Sequence, residues 1–171
     1  MEYEGQICRG PMERASYMLP ISVGCSYNQC RFCTLFKHLT YREIPMEQIQ
    51  AELERVSAVG GNPKQVFLGD GNAFSASTEW LLVILEQLRR YFPACETVNM
   101  DATVHDILRK PSRELEQLSA AGVRTLYLGI ECGLDDVLER MEKGQTMAQA
   151  GEAIEKLHQA GIQYGAHMMT G

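Results

Sequence analysis

Three cysteines fall within nine residues, in the run Gly24-Cys25-Ser26-Tyr27-Asn28-Gln29-Cys30-Arg31-Phe32-Cys33. Thiolates are soft ligands, suited to zinc or to iron–sulfur centres. Cys25, Cys30 and Cys33 on one short loop leave a four-coordinate centre one ligand short. A catalytic metal keeps that position open for substrate or cofactor. The structural alternative is a zinc-stapled loop with Cys8 or His38 as fourth ligand. Zinc sites usually pair their cysteines as two C-x2-C units, and this loop has one such pair, Cys30 and Cys33.

The elements that must carry this loop alternate regularly. The apolar run 17–24 reads as a strand entering the cysteine loop. Pro45 opens a helix with Ile49, Leu53 and Val56 on one face, ended by Gly60-Gly61. Residues 64–69 are a second strand. Ser77 or Thr78 caps a helix through Leu82, Leu85 and Leu88, stopped by Pro93. A short third strand covers 97–100, and Pro111 starts a helix closed by Gly122. Residues 125–130 form a fourth strand, followed by a short helix ending at Lys143-Gly144. Thr146 and Gln149 make a capping box for the next helix, and 162–169 is a fifth strand. Strands separated by helices of this length form parallel βαβ units. Cys25, Asp70, Asp101, Glu131 and Thr170 stand just past the carboxyl ends of the strands. That placement favours a (β/α) barrel, which gathers those ends on one face, over a doubly wound sheet with its single switch point.

The expected architecture is therefore α/β, a partial (β/α) barrel with about five parallel strands, one domain over 1–171. The chain stops at Gly171 directly after the fifth strand, so the later strands are expected to be missing and one strand edge exposed. A formal charge of −6 argues against general nucleic-acid binding or a basic membrane-surface role. No apolar run is long enough to span a bilayer. Met1-Glu2-Tyr3-Glu4-Gly5 has neither a basic leader nor an apolar core, which predicts no secretory signal and a reducing, cytoplasmic home. There a thiol cluster is a metal site rather than a disulfide framework. Cys8 and Cys95 read as buried free thiols, and His167 as a histidine satisfied within a strand.

The cysteine loop, following the first strand of a βα series, resembles the cluster loop of radical S-adenosylmethionine (SAM) enzymes. Phe32 fits the aromatic position before the last cysteine. The first gap is four residues rather than the usual three, as in an uncharacterised subgroup reading GCSxNxCxFC. A second segment, Leu128-Gly129-Ile130-Glu131-Cys132-Gly133, is similar to the family's fourth-strand pattern G-[IL]-E-[ST]-G, which leads to a Lys-Gly-containing helix, here Lys143-Gly144. Gly69-Asp70-Gly71 stands where the family carries a glycine-rich turn.

The resemblance implies a [4Fe–4S] cluster held by Cys25, Cys30 and Cys33, with S-adenosylmethionine completing the fourth iron. It implies that Glu131, beside Gly129, accepts hydrogen bonds from the cofactor's ribose hydroxyls, as a carboxylate readily does. It implies that Gly69 and Gly71 let the main chain approach the cofactor's methionyl end, with Asp70 as an additional acceptor. The activity implied is reductive cleavage of the cofactor to a 5′-deoxyadenosyl radical that takes hydrogen from a substrate. The implied partners are that substrate and a low-potential donor of the flavodoxin or ferredoxin type. No catalytic residue beyond the cofactor set is assigned. The rivals are the zinc-stapled, non-enzymatic module and a fragment that binds a cluster without completing turnover.

Overall fold

A computed structural model describes Glu4 and residues 8–170. Gly171, and most of the first residues on which the leader was judged, lie outside the described residues. The long strands are β1 (Tyr17–Pro20), β4 (Gln65–Gly69), β5 (Thr97–Ala102), β6 (Val123–Glu131) and β7 (Gln163–Met168). They form one parallel sheet in the order β1-β4-β5-β6-β7. Each strand pairs with the next long one and the order never reverses, so no switch point exists. This is the order of a (β/α) barrel. Among the described residues the sheet does not close, and the architecture is the partial barrel expected.

A period of two along each strand sorts side chains to opposite faces. In β6, Leu126, Leu128 and Ile130 are buried, while Thr125, Tyr127, Gly129 and Glu131 between them are partly exposed. The buried set joins Leu19, Val66, Leu68, Val98 and Met100 in the core. The helices cover that face through residues three or four apart. Ile49 and Leu53 come from α1 (Met46–Ala58), and Leu81, Ile84, Leu85 and Leu88 from α2 (Thr78–Tyr91). Leu115 and Leu118 come from α4 (Ser112–Ala120), and Ala150, Ala153 and Leu157 from α6 (Met147–Gln159). Leu82, expected on the inner face of α2, is only half-buried, because Leu81 and Ile84 take the centre of the stripe.

Local signals placed the helix ends. Ser77 caps α2 by accepting the Trp80 N–H at 3.1 Å, and both halves of the Thr146/Gln149 capping box are formed. Two features went unread in the sequence. One is the short helix α3 (Val104–Arg109), capped by Thr103. The other is a two-stranded antiparallel ladder, β2 (Ser22–Val23) with β3 (Arg42–Glu43), which closes the cysteine loop at its base. The remaining helix, α5 (Asp135–Arg140), follows β6. Among the described residues no helix is long and apolar enough to cross a membrane.

Candidate functional site

The cysteine loop leaves the ladder at Gly24, whose φ of +76° is one that side chains rarely adopt. Asn28, also at positive φ, folds the loop on itself by donating from Nδ2 to the Phe36 carbonyl at 2.9 Å. Phe36 is buried beneath it. Two further bonds tie the loop to the connection between α5 and α6. Tyr27 donates its hydroxyl to the Glu142 carbonyl at 2.6 Å, and the Arg31 N–H donates to the Met141 carbonyl at 2.9 Å. An Arg31–Glu142 ion pair at 3.1 Å adds to them. Gly144, at φ +71°, makes room for the Tyr27 ring, because a Cβ there would stand 2.8 Å from Tyr27 Cζ.

The thiols of Cys25, Cys30 and Cys33 are free and line one cavity of about 290 Å³ with Gly71, Gly129, Glu131 and Lys143. At Gly71 there is no room for a side chain. A Cβ on Gly71 would lie 2.9 Å from Cys25 Cβ and 2.7 Å from Phe36 Cε2. One on Gly129 would run into Glu131 and the Lys143 Nζ. Glu131 ends β6 at φ +65°, where the β6–β7 register slips. Its carboxylate stands 3.2 Å from Lys143 Nζ, both side chains largely buried. Burial pushes the Cys25 and Cys30 thiols up, while the Lys143 ammonium pulls both down. Lys143 was quoted in the sequence only as part of a pattern. The structure makes it the cation of the cavity wall.

Asp70 has a different setting. It is 9% exposed and is not among the residues lining that cavity. Its carboxylate accepts N–H bonds from Gly71 and Gly24, yet burial outweighs them and its pKa rises to about 6. It joins the turn after β4 to the start of the cysteine loop. Gly69 packs against β1, its carbonyl accepting the Ile21 N–H at 2.5 Å.

The far wall holds Asp101, Thr103, Tyr127, Cys8 and His167. His167, expected as a satisfied core or barrel-lining group, lines the cavity and is half-exposed, with Nε2 3.8 Å from Asp101 Oδ1. Asp101 holds its proton more tightly than usual because it is desolvated, and this carboxylate in turn raises His167. Behind them buried Glu13 accepts from Asn99 Nδ2 at 2.7 Å and the Tyr127 hydroxyl at 2.6 Å. Cys8, read as a buried apolar thiol, opens onto the cavity, whereas Cys95 is a half-buried thiol donating weakly to the Thr97 carbonyl. His105 lines a separate groove. Among the described residues no three His, Cys, Asp or Glu side chains converge as ligands of a single ion do. Ligands of one zinc ion would stand about 3.8 Å apart, given Zn–S bonds of about 2.3 Å. Thiolates of a cubane each bind a different iron, so they stand farther apart.

Soft donors line this cavity, and sequence comparison shows the family. The family model of the radical SAM superfamily matches residues 19–171, and the chain belongs to that superfamily. Its members use a [4Fe–4S] cluster and S-adenosylmethionine. The chain is 23% identical over 139 residues to the heme chaperone HemW of Bacillus subtilis (strain 168), covering 78% of this chain and 37% of HemW. Its fold matches the cobalamin-dependent S-adenosylmethionine radical enzyme OxsB, solved with aqua-cobalamin and S-adenosylmethionine bound. The TM-score is 0.71 at 21% identity, over 91% of this chain and 25% of OxsB. It also matches coproporphyrinogen III oxidase (HemN) of Escherichia coli, with a TM-score of 0.70 at 13% identity, over 91% of this chain and 37% of HemN. The chain thus spans well under half the length of these relatives.

Proposed function

We propose that this chain carries the cluster- and cofactor-binding core of a radical SAM enzyme, with Cys25, Cys30 and Cys33 as the three cluster ligands. One observation supports this above the others: the three thiols share a cavity with Glu131 and with Gly71, whose position admits no side chain. When bound, the cluster would supply one electron to split the sulfonium of S-adenosylmethionine, giving a 5′-deoxyadenosyl radical for hydrogen abstraction.

The chain's own groups do the holding. Gly129 and Gly71 keep the cavity walls close to the main chain. Glu131 offers two carboxylate oxygens to paired hydroxyls, and Lys143 holds that carboxylate in place. Gly71 offers its main chain at the cavity for an amino-acid end, with Asp70 tying the turn to Gly24. Asp101, Thr103 and His167 on the far wall face the space left for a substrate. A low-potential flavodoxin- or ferredoxin-type donor would feed the cluster, and a cytoplasmic setting would keep the thiols reduced.

Anaerobic reconstitution with iron and sulfide tests the assignment. The wild-type chain should take up about four irons, following the cubane stoichiometry. Cys30→Ala should lose them together with the cluster's paramagnetic resonance signal. Glu131→Ala should keep its iron while binding S-adenosylmethionine at least tenfold more weakly, the loss expected for charge-assisted bonds. Stoichiometric zinc with no iron uptake would favour the stapled module instead.

A further inference from the structure

Two buried polar groups lead to Ser26, an exposed residue directly after Cys25. Asn72, 1% exposed, uses Nδ2 twice: it donates to Ser26 Oγ at 2.8 Å and to Asp106 Oδ2 at 2.8 Å. Asp106 is also buried, and its carboxylate accepts the Thr103 hydroxyl at 2.6 Å. Its other oxygen accepts from Arg109 Nη2 at 3.1 Å, a guanidinium that is 57% exposed. The Asn72 side-chain amide oxygen Oδ1 is fully buried and has no donor among the described residues. An orphaned acceptor of this kind costs about 1–3 kcal/mol. An apolar brace between loop and helix would avoid that penalty, yet the fold keeps an anion and an amide behind the cysteine loop.

We propose that Asp106, acting through Asn72 and Ser26, is a positioning residue that sets the reduction potential of the centre held by Cys25, Cys30 and Cys33. The inference rests on the cluster assignment above. Iron–sulfur potentials follow local net charge and the hydrogen bonds around the sulfurs. A buried carboxylate opposes the arrival of an electron, because little solvent screens it. It therefore lowers the potential, which favours electron transfer to a sulfonium. The Arg109 charge pulls the other way but more weakly, since it stands in water. Neither residue lines the cavity of the cysteines, so both act on the electron rather than on the cofactor's contacts.

Redox titration of the reconstituted protein, followed by paramagnetic resonance, tests this with Asp106→Asn and Arg109→Gln. Asp106→Asn should shift the one-electron equilibrium toward the reduced cluster by tenfold or more, about 59 mV. Arg109→Gln should shift it the opposite way by a smaller factor, with iron content unchanged in both. A purely structural brace would not produce opposite signs. Unmoved potentials at full iron content, or shifts of the same sign, overturn the proposal and leave the cluster assignment standing. If Asp106→Asn takes up no iron, Arg109→Gln decides alone: a downward shift supports the proposal and no shift overturns it. A wild-type chain that takes up no cluster overturns both readings.

Discussion

Asp70 shows how burial and hydrogen bonding compete at one residue. Two N–H donors favour its carboxylate, and desolvation still wins, lifting the pKa from an ordinary 3.8 to about 6. The folded protein therefore binds this proton more tightly than the unfolded chain does. Between those two values folding takes up a proton, so stability rises as pH falls through 6 and levels off below 3.8. Asp70→Asn keeps one acceptor oxygen and removes the buried charge. It should stabilise the metal-free protein at pH 8 by on the order of 1–3 kcal/mol and do almost nothing at pH 3.5. Urea unfolding at the two pH values checks this. An equal effect at both would mean that the charge is not the cause.

At the scale of elements, the cysteine loop owes its position to partners far along the chain. The β2–β3 ladder closes its base, and the α5–α6 connection holds its outer turn through Tyr27 and Arg31. That same connection carries Lys143, which pairs with Glu131. The thiol loop and the carboxylate are thus fastened to one short segment. Gly144 is where that fastening is most exposed to substitution. Alanine there takes a left-handed backbone and drives its Cβ against the Tyr27 ring. Gly144→Ala should cost about 1–2 kcal/mol from the backbone alone, and more through the displaced tyrosine. Tyr27→Phe, losing one hydrogen bond, should cost about 1 kcal/mol. Because both act through the same ring, the double variant should cost less than the sum of the two. Strict additivity in thermal unfolding would show that the glycine and the ring do not meet.

For the whole molecule, the parallel sheet sets a gradient of stability. β4, β5 and β6 are paired on both sides and covered by helices on one face. Among the described residues β7 pairs only with β6, and its residues are exposed or half-exposed throughout. Local opening is easiest where little apolar surface is buried. Amides of β5 and β6 should exchange with solvent slowest, and those of β7 should be the fastest among the long strands. Hydrogen exchange resolved by peptide checks this order. Protection of β7 equal to that of β5 would mean that something else covers its edge. His167 lies on β7, so one residue of the far wall stands on the strand expected to open most easily, while Asp101 and Tyr127 stand on the paired strands β5 and β6.

Much of this protein follows from local chemistry and could be read along the chain. The cysteine spacing raised the expectation of a three-thiol centre, because ligand count and softness depend on residue type alone, and the fold brings those thiols to one cavity. Ser77, Thr146 and the glycines after the helices marked element ends, since caps and positive φ are settled within a few residues. The parallel pairing followed from helices long enough to force crossovers, and the barrel order from polar residues past the carboxyl end of nearly every strand. The meeting of Lys143 with Glu131, Tyr27 with Glu142, Asn72 with Ser26 and Asp106, and His167 with Asp101 was decided only by the folded sheet. Those pairs come together because parallel strands bring their carboxyl ends to one edge, and no single stretch of sequence records what its neighbours across that edge will be.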